Sequence, residues 1–185
     1  MRTLLIGGAR SGKSALAQRW SAERSSDVCT LVTGTETDPE MAARIAAHRR
    51  DRPVHWRVRE EPIHLGRALR EETSGLVLVD CLTLWISNCL WPQDLTNAET
   101  DDTIWRRECQ EFLDALRAYA GNVIIVSNEV GTGIVPNNAA SRVFRDEQGW
   151  LNQSVAAICD EVFFVTAGLP LCLKPGPAHT ATPAR

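Results

Sequence analysis

Short aliphatic runs alternate along this chain with longer stretches whose apolar residues recur at helical spacing. Thr3-Leu4-Leu5-Ile6 runs into glycines, and Lys13 to Ser25 then repeats Ala15, Leu16, Ala17 and Trp20 as a helix would, which predicts strand, loop, helix. Val28 to Val32 reads as a second strand. Thr37 or Asp38 as cap and Pro39 as first helical residue start a helix that should reach about Arg50. Trp56 to Glu60 alternates bulky and charged residues as a short strand does, and Ile63 to Arg70 has helical spacing at Leu65, Ala68 and Leu69.

Leu76-Val77-Leu78-Val79 is a continuous aliphatic run ending in Asp80, the pattern of a strand buried on both faces of a parallel sheet. Leu82 to Leu90 reads as helix, Trp91 to Asp102 as a surface connection, and Thr103 to Tyr119 as a long amphipathic helix. Val123 to Val126 is the next buried strand, and Val130 to Asn138 a glycine- and proline-rich loop. Ala139 to Ala157 is helical in outline, Glu161 to Val165 is a last central strand, and Leu171 to Leu173 adds an edge strand. Strands alternating with helices imply an α/β fold with a doubly wound, mostly parallel sheet and right-handed crossovers. Residues 1–174 are expected to form one catalytic domain, and the proline-rich segment 175–185 a disordered tail.

Composition narrows the function. The chain has 185 residues, a formal charge of -3 and 44% hydrophobic residues, so neither a disordered chain nor a dedicated nucleic-acid surface is expected. No apolar run of eighteen residues occurs, and the six cysteines form no C-x-x-C pair; a cytoplasmic protein without stable membrane insertion, its thiols reduced in the core, is the expectation. Lys13 is the only lysine before Lys174, in a chain whose positive charge is otherwise arginine, and so marks a position chosen for its chemistry.

Around Lys13, Gly7-Gly8-Ala9-Arg10-Ser11-Gly12-Lys13-Ser14 fits G-x-x-x-x-G-K-[ST] between a predicted strand and a predicted helix, which identifies a P-loop NTPase. Glycines let backbone N–H groups turn toward phosphate oxygens, Lys13 reaches the outer phosphates, and the Ser14 hydroxyl is placed for Mg²⁺. Asp80, at the end of its strand, is either the second metal-site acid or a cap for the helix that follows. His48 shares a helical face with Met41 and Ile45 and precedes Arg49, Arg50 and Arg52; taken alone it reads as a packing or capping residue rather than a nucleophile. Asn128-Glu129-Val130-Gly131-Thr132-Gly133 is equally a ligand loop and ordinary turn chemistry. The six tryptophans, scattered without a basic ladder, read as core or interface residues.

GGARSGKS at 7 to 14, EMAARIAAHRRDRPVHW at 40 to 56, LVDCLTLWISNCL at 78 to 90, SNEVGTGIVP at 127 to 136, FRDEQGWLNQ at 144 to 153 and DEVFFVTAGLP at 160 to 170 together resemble the bifunctional adenosylcobinamide kinase / adenosylcobinamide-phosphate guanylyltransferase family of cobalamin biosynthesis. The resemblance spans nearly the whole chain. It implies phosphorylation of adenosylcobinamide with ATP or GTP, then transfer of GMP from GTP to the phosphorylated product. It further implies a RecA-like core, a guanylyl-histidine intermediate at His48, and catalysis by His48 and Lys13. Nucleotide contacts are implied at Gly7 to Ser14, at Thr33, Gly34 and Thr35, and at Arg49, Arg50, Asp51, Arg52, Glu60 and Asp80. Mg²⁺ on Ser14 and Asp80, and a small homo-oligomeric ring, with a trimer favoured, complete what it implies. A simple small-molecule kinase and a GTP-binding switch are the rival readings.

Overall fold

The computed structural model describes residues 1–35, 52–91 and 102–176, without the side chains of residues 102 and 103. The elements are β1 (Arg2–Gly7), α1 (Lys13–Arg24), β2 (Val28–Val32), β3 (Arg57–Glu60), α2 (Leu65–Glu71), β4 (Leu76–Asp80), α3 (Leu82–Leu90), α4 (Asp102–Ala118), β5 (Asn122–Asn128), α5 (Ala139–Ile158), β6 (Glu161–Thr166) and β7 (Leu169–Lys174). They build one seven-stranded sheet in the order β3-β2-β4-β5-β1-β6-β7. All pairings are parallel except β6 with β7. The expected helix at 37–50 lies outside the described residues.

The aliphatic runs are buried on both sides, as their lack of alternation requires. In β4, Val77 and Val79 join the cluster under α2, α3, α4 and α5, while Leu76 and Leu78 face α1; Val123, Ile125, Ile124 and Val126 divide the same way in β5. Trp85 of α3 anchors the larger cluster. It packs edge-on against Trp105 and Phe112 of α4, with ring centroids 5.4 and 5.2 Å away, and its indole N–H donates to Ile63 O at 2.7 Å. A fully buried aromatic of this kind contributes about 3 kcal/mol or more against truncation to alanine.

Element boundaries moved where polar groups intervene. α2 starts at Leu65 rather than Ile63 because the Glu61 carboxylate accepts the N–H groups of Ile63 and His64, at 3.3 and 2.8 Å, and so caps the turn before it. β7 spans Leu169–Lys174 and includes Pro170, which the sheet tolerates because β7 is the outermost strand. Trp56 precedes β3, its N–H donating to Pro53 O in a turn. Every cysteine is free, but Cys172 is exposed on β7, a correction to the all-core expectation. Trp91 and Trp150 are exposed as well. Among the described residues no helix is long and apolar enough to cross a membrane.

Candidate active site

The carboxyl ends of the central strands form a row: Glu60 lies beside Val32, Val32 beside Asp80, Asp80 beside Val126, and Asn128 beside Gly7. The loop from Gly7 to Gly12 leaves this row at β1 and enters α1. Gly7 has no room for a side chain, since a Cβ would collide with Val165 O. Gly12 has φ 94°, a left-handed conformation that glycine alone adopts at no cost, and a Cβ there would come within 3.0 Å of Gly168 Cα. The Gly168 N–H donates to Ser11 O at 2.9 Å, so the β6–β7 turn braces the loop from outside.

Gly12 is also the N-cap of α1, without a side-chain cap and without an acidic residue in the first turn. The first N–H groups of α1 therefore keep their donor capacity and the positive end of the helix dipole for an anion. Lys13 is nearly buried, and its ammonium donates to Gly8 O at 2.7 Å. Burial lowers its pKa, against which the charges of Cys81 and Asp80 act. Ser11 Oγ is buried with no partner among the described residues. A desolvated cation folded back on its own loop and an unsatisfied hydroxyl are what a phosphate group would relieve.

Asp80 stands two strands from the loop strand, with β5 between them. Its carboxylate accepts from Arg52 Nη2 at 3.1 Å, both side chains being largely buried, and Arg52 Nε has no partner among the described residues. The N-cap position of α3 belongs to Cys81. Asp80 is thus turned toward Arg52 and away from the helix-capping role. Burial, then the Asp80 charge, raises the Cys81 thiol to about 11, so it stays protonated near neutral pH.

Of the residues after β2, Thr33 is fully buried and its hydroxyl is committed: it donates to Cys81 O at 2.6 Å and accepts from Cys81 N–H at 3.0 Å. Asn88 Nδ2 donates to Thr33 O at 2.7 Å. The Thr33 side chain therefore ties β2 to β4, whereas Gly34 and Thr35 are partly exposed. Glu60 is exposed at the end of β3. His48, Arg49, Arg50 and Asp51 lie outside the described residues. The sequence reading missed the Gly168 brace and the groups that fix the end of β5; both fall in stretches that carried the family resemblance, which was the only signal for them.

A glycine loop that joins a central strand to a helix, a lysine at the helix start and an acid two strands away define the chain as a P-loop NTPase. A solved ATPase from the type III secretion system of pathogenic bacteria shares the fold, with a TM-score of 0.52 at 11% identity over 96% of this chain and 59% of that one. Within that class, this chain belongs to the cobinamide kinase / cobinamide phosphate guanyltransferase family, whose model matches residues 3–173. It is 45% identical over 179 residues to the bifunctional adenosylcobalamin biosynthesis protein CobP of Pseudomonas aeruginosa, covering 96% of this chain and 99% of the relative. The bifunctional adenosylcobalamin biosynthesis protein CobU of Escherichia coli (strain K12) is 37% identical, covering 94% of this chain and all of the relative (100%).

Proposed function

We propose that this chain phosphorylates the aminopropanol hydroxyl of adenosylcobinamide with ATP or GTP, and then transfers GMP from GTP to the phosphorylated product. Residues 1–174 act in this reading as one cytoplasmic catalytic domain. The observation that carries it is the loop itself: Lys13 turned onto Gly8 O, Ser11 Oγ without a partner, and uncapped N–H groups at the start of α1, in a chain of this family. Those groups suit the β- and γ-phosphates of a nucleoside triphosphate.

For Mg²⁺ the donor set is suitable in kind, a Ser14 hydroxyl and an Asp80 carboxylate being hard oxygen ligands. Mg²⁺ usually keeps several waters and is held by one or two protein oxygens together with substrate phosphates. Ser14 and Asp80 would hold it, and the bound ion would supply charge neutralisation on the phosphates. Arg52, now on Asp80, is in the same reading a nucleotide ligand, with Arg49, Arg50, Asp51, Gly34, Thr35 and Glu60.

The guanylyl half proceeds through His48. Its imidazole attacks the α-phosphorus of GTP, a P–N bond forms as the bond to pyrophosphate breaks, and the substrate phosphate then displaces the histidine. Incubation with GTP and Mg²⁺ should add one GMP to the protein, mapped by mass spectrometry to the His48 peptide and absent from His48→Ala. An adduct that persists in His48→Ala would refute the assignment, and a chain that never forms one would favour a plain kinase. Self-association belongs to the same reading, supported by the exposed Leu169, Leu171 and Leu173 on the outermost strand. Sedimentation as a monomer at micromolar concentration would count against it.

A further inference from the structure

β5 separates the phosphate-loop strand from the metal-acid strand, so its carboxyl end points at the space between Lys13 and Asp80. Asn128 is level with Gly7, and the Glu129 N–H donates to Gly7 O at 3.0 Å, which fixes Glu129 against the first residue of the phosphate loop. Several side chains hold this strand end. The Asn128 N–H donates to Thr83 Oγ1 at 2.9 Å, and Asn152 Nδ2 donates to Asn128 O at 3.0 Å. Behind them Ser127 Oγ donates to Asn152 Oδ1 at 2.6 Å, and Gln148 Nε2 donates to Ser127 Oγ at 2.9 Å; all three side chains are buried. A buried polar network of this kind fixes position more than it adds stability.

Glu129 itself is half-buried. Oε1 accepts the Gly131 N–H at 2.5 Å, and Oε2 has no partner among the described residues. A carboxylate beside a triphosphate site is repelled by the phosphates, so its use lies with a neutral group that must lose a proton. The kinase reaction supplies one, the acceptor hydroxyl. Neighbouring groups are committed elsewhere: Lys13 is a cation, Asp80 is paired with Arg52, Glu61 caps the turn before α2, and Glu60 ends the far edge strand.

Resting on the function proposed above, we infer that Glu129 is the general base of the phosphoryl-transfer half. Its carboxylate takes the proton of the substrate hydroxyl as the hydroxyl oxygen bonds to the γ-phosphorus; the bond from that phosphorus to the β–γ bridging oxygen breaks, and nucleoside diphosphate leaves. The guanylyl half needs no such base, because its acceptor is a phosphate anion that attacks directly.

The two halves should therefore separate in Glu129→Gln. With adenosylcobinamide and nucleoside triphosphate, its kcat should fall by about 10²–10⁴-fold, the usual worth of a positioned base. With adenosylcobinamide phosphate and GTP, guanylyl transfer should stay within about threefold of the unaltered chain, and Glu129→Asp should phosphorylate faster than Glu129→Gln. Undiminished phosphorylation by Glu129→Gln, or a parallel loss of both halves, overturns the inference alone. An unaltered chain that phosphorylates no cobinamide overturns the functional reading and this inference with it.

Discussion

At the amino ends of the strands, Arg24, Thr3 and Glu161 form a closed set. Arg24 meets Glu161 Oε1 at 2.8 Å and donates to Thr3 Oγ1 at 2.7 Å, and Thr3 Oγ1 donates to Glu161 Oε1 at 2.6 Å. At the carboxyl ends the accounts stay open among the described residues: Lys13 donates to its own loop carbonyl, and Ser11 Oγ and Arg52 Nε are buried without partners. Both regions bury charge, and both bear on parallel strands of one sheet. The difference is that the first set is complete within the chain, while the second leaves polar groups open among the described residues. Charge that is satisfied internally serves the fold, whereas charge left short of partners at the strand ends is what a ligand would satisfy.

The sharpest way to break that contrast is at Lys13. Lys13→Ala should lower both phosphorylation and guanylyl transfer by about 10³-fold, on the order of 4 kcal/mol of transition-state stabilisation, measured as kcat/KM for each half. Its melting temperature should stay the same or rise, because the lost ammonium was desolvated in the free protein. A Lys13→Ala chain that lost stability along with activity would show the lysine to be part of the fold.

Arg24→Met makes the opposite demand. It leaves the Glu161 carboxylate, with a side chain only 3% exposed, without its cation, so stability should fall by about 3 kcal/mol in urea unfolding. Activity per folded molecule should not change. A variant with unaltered unfolding, or with a kinetic defect, would erase the distinction between the two edges.

How far the sequence foretold each edge follows from how local its signals are. β1, β2, β4 and β5 were legible because an aliphatic run without alternation has few other homes than a central parallel strand, and Gly7 to Ser14 because loop, strand and helix are contiguous. The Arg52–Asp80 pair joins residues 28 positions apart, and nothing in spacing announces it. Thr33 was readable as a polar residue at a strand end, but only the parallel pairing of β2 with β4 shows its hydroxyl turned to Cys81. The same holds for Ser127 on β5 and for Gln148 and Asn152 at helical spacing on α5, whose polar identity gave no hint that they meet. β5 itself runs on to Asn128 because its polar end pairs with Gly7, whereas an apolar pattern stops at Val126.

The mildest test lies at the amino edge, where Asp160 accepts the Arg2 N–H at 2.7 Å and the Arg2 Nε at 3.5 Å, at a partly exposed site. Its pKa is lowered: partial burial acts to raise it, but the Arg2 N–H, the Arg2 charge and the chain amino group outweigh that. A carboxyl group whose folded pKa lies below its unfolded one adds stability above the unfolded pKa and loses it as pH falls through the folded value. Asp160→Asn should therefore lower the melting temperature at pH 7 by about 2–4 °C at most, since a partly solvated pair is worth ~1 kcal/mol or less and the amide oxygen still accepts the Arg2 N–H. The gap between the two proteins should close as the pH is taken below the ordinary carboxylate range, where the unaltered Asp160 is protonated as well. A gap that persists there would mean that the side chain supports the start of β6 by shape and hydrogen bonding alone, and the charge at this edge would then be incidental to the fold.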